Sequence, residues 1–296
     1  MKVFVTGVCG QLGHDCMNEL ISRGHQAVGS DILAKDIENY YQLDITNKTA
    51  VENLIKEIKP DAIIHCAAWT AVDAAEDDEN REKVENINHF GTKYLALSAK
   101  NVNSKMLYLS TDYVFDGTGT EPRKPDDKNF SPLNFYGKTK LEGEFEICNN
   151  LTKFFIVRIA WVFGVNGKNF IKTMINIAKN HDVVRVVNDQ IGTPTYTFDL
   201  ARLLVDMIET EKYGFYHATN DEGGNYISWY DFTKEIYSQA GISTKVIPVA
   251  TSEYGLSKAK RPFNSRLDKS KLTENGFKIL PDWKDALTRY LKEADL

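Results

Sequence analysis

Long apolar runs are missing from this chain, and none approaches the ~18 to 20 residues that a membrane-spanning helix requires. The opening residues, Met1-Lys2-Val3-Phe4-Val5-Thr6-Gly7, reach glycine too soon to form the apolar stretch of a signal peptide, so a cytoplasmic location is expected. Cysteine is scarce. Cys9, Cys16, Cys66 and Cys148 show neither CxxC nor Cys/His ligand spacing, which argues against a disulfide framework and a zinc site, and no metal is expected. There is also no basic excess: 36 Lys plus Arg stand against 41 Asp plus Glu, for a formal charge of −5, and the basic residues are dispersed. A polyanion would need a basic face, so neither nucleic acid nor membrane is expected as a partner.

What is present is the composition of an ordinary globular protein, 42% hydrophobic and 26% charged, over 296 residues, a length that suits a main domain with a smaller companion. In the first half, short apolar runs at 2–6, 25–30, 41–45, 61–67, 105–110 and 154–161 read as buried strands, separated by segments with 3.6-residue apolar spacing. Parallel strands joined by right-handed helical crossovers give a doubly wound sheet of Rossmann type. The expected fold class is therefore α/β, with this sheet over 1–163 and a smaller C-terminal α/β substrate domain over 164–296. Residues 168–180, 198–209, 228–240 and 283–292 read as helices, 183–187 and 215–218 as strands, and segments near 183–215 are expected to return to the sheet.

The first strand runs into Gly7-Val8-Cys9-Gly10-Gln11-Leu12-Gly13 and then a helical pattern. Glycines at this GxxGxxG spacing let the backbone turn tightly and approach a pyrophosphate, whose charge a helix N-terminus favours. A glycine-rich turn without a ligand is the ordinary alternative, but the position on the first strand of a βαβ unit favours a dinucleotide. Asp31 ends the second strand, 18 residues beyond Gly13, where a carboxylate can accept hydrogen bonds from a ribose. It favours NAD over NADP. Asp44 and Ile45, ending the third strand, can bracket the adenine, although Asp44 could equally cap the following helix.

Reduction of a ketone needs a proton donor, and a tyrosine with a lysine one helical turn later can supply it, the ammonium bringing the phenol from about 10 toward working pH. Three pairs have this YxxxK spacing: Tyr136/Lys140, Tyr230/Lys234 and Tyr254/Lys258. Only Tyr136 follows the fifth strand, whose end carries Ser110-Thr111 at the sheet edge where open α/β folds bind ligands. Thr111 would share the substrate oxygen with Tyr136. His65 and His217 read as core residues, and the acidic run Glu76-Asp77-Asp78-Glu79 as a solvated helix face.

Together these motifs resemble the extended short-chain dehydrogenase/reductases, and within them the dTDP-4-dehydrorhamnose reductases. Gly10-Gln11-Leu12-Gly13, Ala67-Ala68-Trp69-Thr70-Ala71-Val72-Asp73, Ser110-Thr111-Asp112-Tyr113-Val114-Phe115-Asp116-Gly117 and Tyr136-Gly137-Lys138-Thr139-Lys140 carry the likeness. Arg158-Ile159-Ala160-Trp161-Val162, 188–195 and Arg261-Pro262 extend it over nearly the whole chain. The resemblance implies NADH or NADPH as cofactor and a nucleotide-sugar substrate. It implies Gln11, Leu12 and Gly13 at the pyrophosphate, Asp31 at the ribose, and Asp44 and Ile45 at the adenine. Ala67, Ala68 and Thr70 would face the nicotinamide side. Thr111 and Asp112 would touch the sugar, Tyr136 would donate the proton, Lys140 would bind the nicotinamide ribose, and Trp161 would lie against the sugar nucleotide.

Sister enzymes that dehydrate nucleotide sugars usually place Asp-Glu after the threonine, whereas Asp112-Tyr113 here favours simple reduction. Some relatives dimerise around a magnesium ion held by glutamates; His14 and Asp15 follow Gly13 here, so a monomer or weak homodimer is expected. Lys168 and Arg261 are candidate cations for the substrate diphosphate, with surface charge the ordinary alternative. Two other functions are alternatives: an epimerase or dehydratase of the same fold that retains its NAD, and a non-catalytic regulatory subunit like that of methionine adenosyltransferase, against which the intact Thr111/Tyr136/Lys140 set weighs.

Overall fold

The computed structural model describes residues 1–296. Lys2–Thr6 (β1), Gln26–Asp31 (β2), Tyr40–Gln42 (β3), Ala62–His65 (β4), Lys105–Thr111 (β5) and Phe154–Ile159 (β6) are the strands of the first half. Gln11–Ser22 (α1), Lys48–Ile58 (α2), Asp78–Glu85 (α3), Thr92–Asn101 (α4) and Phe135–Asn150 (α5) are its helices. The second half contributes short strands Val162–Phe163 (β7), Val183–Val187 (β8), Ile191–Gly192 (β9), Thr195–Tyr196 (β10), Gly214–His217 (β11), Ile227–Ser228 (β12) and Lys245–Val249 (β13). Its helices are Phe170–Ala178 (α6), Thr197–Ile208 (α7), Trp229–Gln239 (α8), Thr251–Tyr254 (α9), Ser270–Glu274 (α10) and Trp283–Glu293 (α11).

Seven strands form one parallel sheet in the order β11-β6-β5-β4-β1-β2-β3. Val3, Phe4 and Val5 of β1 and Ala62, Ile63 and Ile64 of β4 are wholly buried, because helices cover both faces and every side chain of a central strand points into a core. One core lies against α1 and α7, the other against α2, α4 and α5. From β1 the chain works outward to β3, then returns to β4 and works the other way. The crossovers therefore leave in opposite directions at β1 and β4, which opens a crevice at the carboxyl ends of these strands.

The doubly wound sheet is as expected, and several details differ. Val183–Val187 does not join it, pairing instead with β13 in a separate two-stranded sheet over a third core that contains Phe163, Tyr196, Phe232 and Tyr290. From the stretch near 183–215, α7 packs into the core beside α1, and β11, which begins at its end, adds to β6 at the sheet edge. The third strand stops at Gln42, and the sixth stops at Ile159, since the backbone of Trp161 turns left-handed (φ 51°) and cannot continue a strand. No helix is long and apolar enough to cross a membrane.

Two features fix the start of α5. Asn134 is its N-cap, its side chain accepting from Gly137 N at 2.8 Å, and Glu76 Oε1 accepts from Phe135 N at 2.7 Å. Between α3 and α4, Asn86–Gly91 is wound as a π-helix, which turns the buried Asn88 inward. Its side chain accepts from Trp69 N (2.9 Å) and donates to Trp69 O (3.2 Å) and Thr139 Oγ1 (3.1 Å), tying the loop after β4 to the middle of α5.

Candidate active site

The crevice is a cavity of about 690 Å³. One wall is the turn from β1 into α1. Gly7 has φ 72°, and a Cβ there would lie 2.7 Å from Ala67 N; a Cβ on Gly13 would lie 2.2 Å from Gly7 O. Any side chain at these two positions would push the turn away from the fourth strand or from the helix. Gly10 caps α1 without a side-chain hydrogen bond, so the first amides of this helix face the crevice free to meet an anion. Asp31 stands beside the turn, its Oδ2 accepting from Cys9 N at 3.0 Å.

The facing wall comes from the ends of β5 and β6 and the first turns of α5. Thr111 is the last residue of β5, and its Oγ1 donates to Asp112 Oδ1 at 3.0 Å and accepts from Tyr113 N at 3.2 Å. Tyr136 and Lys140 stand one turn apart on α5 and line the same cavity as Thr111. The other two YxxxK pairs lie elsewhere. Lys234 rests 5.4 Å from the centroid of Tyr230 on α8, and Lys258, beyond Tyr254, pairs with Asp77.

Burial dominates the electrostatics of this wall. Desolvation pulls Lys140 down to about 7, against the opposing charge of Glu144. It pushes Asp112 up to about 6, although the nearby Ser265 hydroxyl and the hydrogen bond from Thr111 hold it down in part. Tyr136 is pushed up, first by burial and then by the Asp112 charge, while the neighbouring Thr111 hydroxyl acts the other way. The expectation of a phenol lowered by its lysine therefore needs correcting: here the surroundings keep Tyr136 protonated. Oδ2 of Asp112 and Oγ of Ser110 are buried without a protein partner, leaving polar atoms at the cavity wall for a ligand to satisfy.

The cavity collects every residue singled out in the sequence for a cofactor: Gly7, Gly10, Gln11, Leu12, Gly13, Asp31, Asp44, Ile45, Ala67, Ala68, Thr70, Tyr136 and Lys140. Thr111, Asp112, Trp161 and Lys168 line it too. Asp44 does not cap α2. Its Oδ1 accepts from Thr46 N (2.9 Å) and Thr46 Oγ1 (2.8 Å), and Asn47 takes the cap position. Arg261 lies off the cavity wall, held by Asp73 at 2.5 Å and 3.1 Å. The acidic run is more than a solvated face, since Glu76 binds α5 and Asp77 binds Lys258. His65 and His217 are buried; His65 bridges Thr6 Oγ1 (2.7 Å) and Thr92 Oγ1 (3.1 Å), and burial, helped by Lys140, lowers it to about 3.

Trp229 went unnoticed in the sequence. It stacks on Trp161 with centroids 3.8 Å apart and planes at 18°, and both rings border the cavity. Its only sequence signal is the Ser228-to-Asp231 capping box that places it at the first position of α8.

A parallel sheet in this strand order, a glycine turn after its first strand, and Thr, Tyr and Lys grouped across the crevice define the class of short-chain dehydrogenase/reductases. Within that class, the chain belongs to the RmlD substrate binding domain family, whose model matches residues 1–296. It is 41% identical over 300 residues to a dTDP-4-dehydrorhamnose reductase of Aggregatibacter actinomycetemcomitans, covering 97% of each chain. A crystal structure of a dTDP-4-dehydrorhamnose reductase from Clostridium acetobutylicum superposes with a TM-score of 0.92 at 41% identity, over 100% of both chains. Another, from Bacillus anthracis in complex with NADP, superposes with a TM-score of 0.90 at 39% identity, over 99% of this chain and 100% of that one.

Proposed function

We propose that this chain is an NADH- or NADPH-dependent reductase of a nucleotide-sugar ketone, converting dTDP-4-dehydro-6-deoxy-L-mannose to dTDP-L-rhamnose. The observation that carries the reading is the placement of Thr111, Tyr136 and Lys140 on one wall of the cavity whose other wall is the glycine turn. The names of the relatives, at 41% and 39% identity over nearly full length, support the same substrate.

The site fits a dinucleotide because Gly7 and Gly13 leave room that a Cβ would close, and because the amides of α1 face that space. Gly10, Gln11, Leu12 and Gly13 would hold the pyrophosphate, Asp31 the ribose, Asp44 and Ile45 the adenine. Ala67, Ala68, Thr70 and Lys140 would flank the nicotinamide end. When bound, the reduced nicotinamide supplies the hydride.

The protein's own part is to hold the ketone oxygen and protonate it. The Thr111 hydroxyl would turn from Asp112 Oδ1 to donate to that oxygen beside Tyr136 Oη, and Tyr136, kept protonated by burial, delivers its proton there. The phenolate left behind needs a cation in a site of low dielectric, and Lys140 provides it. Asp112 accepts from a sugar hydroxyl, and the Trp161 ring packs against the sugar nucleotide. Residues 1–163 would thus hold the cofactor, and 164–296 would mainly serve the substrate side, where Lys168 and Trp229 line the cavity beside Trp161. A monomer or weak homodimer suffices, since every proposed residue comes from one chain.

The test is consumption of reduced nicotinamide, followed by its absorbance, with the authentic ketosugar. Stoichiometric oxidation with formation of dTDP-L-rhamnose is expected. Turnover that needs no added reductant, with NAD retained through gel filtration, would instead mark an epimerase or dehydratase.

A further inference from the structure

We propose that Tyr108 is the positioning residue for Lys140: its ring seats the lysine ammonium at the cavity wall, and its hydroxyl fixes the backbone of the same residue. Tyr108 lies in the middle of β5, wholly buried, under the helix that carries Tyr136 and Lys140. Lys140 Nζ stands 4.1 Å from the centroid of its ring, whereas every other contact of a cation with an aromatic ring in the chain is 5.0 Å or longer. Both partners are removed from bulk water, Lys140 being 3% exposed, and a cation over a ring face is attracted most strongly where water is excluded. The same tyrosine donates from Oη to Lys140 O at 3.2 Å. One side chain thus holds both ends of the lysine.

The helix is cut to receive this tyrosine. A Cβ at Gly143 would lie 2.4 Å from Tyr108 Oη, so glycine at that position leaves the space the hydroxyl occupies. The other groups facing Lys140 do not replace the ring. Glu144, one turn further along α5, supports the ammonium through its charge but spends both carboxylate oxygens on the buried Arg158 of β6, at 2.8 Å and 2.7 Å, so neither is given to Lys140 as a hydrogen bond. His65 of β4 is held neutral, and Tyr136 is held protonated. Cys66, after β4, borders the same cavity. Burial disfavours the ammonium there, and the ring face adds to the charges of Glu144 and Cys66 in opposing the loss of its proton.

This inference rests on the cavity role proposed for Lys140, and its test is read without turnover. Competitive acetylation of the folded protein across pH, with the peptide containing Lys140 quantified by mass spectrometry, gives the titration midpoint of that one amine. We expect a midpoint near 7 in the parent protein. Tyr108→Phe, which keeps the ring, stays close to it, and Tyr108→Leu falls by about one pH unit. Tyr108→Met fills the volume without an aromatic face, and should follow the leucine variant if Tyr108→Leu does not fold. If the enzyme turns over, the alkaline limb of kcat shifts down by the same amount while KM for the ketosugar holds. A folded variant lacking the ring but keeping the parent midpoint overturns the inference. A midpoint that moves as expected in a protein with no reductase activity supports it and counts against the proposed function instead.

Discussion

Glu76 Oε1 accepts a 2.7 Å hydrogen bond from Phe135 N, so an acidic residue beyond the fourth strand closes the first turn of the helix that presents Tyr136 and Lys140. An acidic acceptor at a helix N-terminus satisfies a free amide and meets the positive end of the helix dipole. Glu76→Ala should therefore lower unfolding stability by about 1 kcal/mol, measured by urea denaturation. Glu76→Gln, which keeps the acceptor and loses the charge, should recover part of it.

Asp31 accepts from Cys9 N at 3.0 Å and from Leu33 N at 3.4 Å, and it lines the crevice. A ribose diol can donate to it, whereas a 2′-phosphate would meet like charge, at a cost of about 1 to 2 kcal/mol in surroundings of intermediate dielectric. Asp31→Ser should raise the ratio of kcat/KM for NADPH over NADH by about tenfold or more. An unchanged ratio would show that Asp31 does not meet the ribose.

The glycine turn, the strand-end Asp31, Thr111 and the Tyr136/Lys140 pair were legible because each is a local pattern: a spacing set by one turn or one helix face. Asn88, Glu76 and Trp229 were not. Asn88 turns inward through a π-helical segment that has no sequence pattern, and Glu76 sits in a charge run whose ordinary meaning is a wet surface. Trp229 reaches the cavity only because β12 pairs with β9 and brings α8 beside Trp161, a contact between segments almost seventy residues apart. The strand 183–187 is legible but its partner is not, since alternation of burial says that a strand has a covered face and not which strand it pairs with. The phenol differs for another reason. Helical spacing sets which residues share a face of α5 but says nothing of burial or of the Asp112 charge, and both push Tyr136 up.

Asp112 is 3% exposed and titrates at about 6, above the ordinary carboxylate value of 3.8. Between those two values the folded protein binds more protons than the unfolded chain. Its stability therefore falls as pH rises through that window and stays lower above it. Asp112→Asn removes the buried charge. Its Tm should exceed that of the parent above about pH 6 and lose this advantage below about pH 4, while KM for the nucleotide sugar rises. Thermal scans at the two pH extremes check the sign, and an equal gain at both would contradict it.

Arg158 and Glu144 form a fully buried pair, the guanidinium also donating to Pro125 O at 2.9 Å and lying within 5.2 Å of the Phe115, Phe130 and Phe215 ring centroids. Glu144→Gln leaves the arginine charge without its counterion and should cost about 3 to 5 kcal/mol. Replacing both, as Glu144→Leu with Arg158→Met, should cost less than either single change, because no buried charge remains. Chemical denaturation of the parent, Glu144→Leu, Arg158→Met and the double variant measures this coupling.

The proton donor is the centre of the account, and Tyr136→Phe tests it most directly. With saturating reduced cofactor and dTDP-4-dehydro-6-deoxy-L-mannose, kcat should fall by about a hundredfold to ten-thousandfold while the cofactor still binds with its parent affinity. A phenylalanine variant that reduces the ketosugar at the parent rate would contradict it.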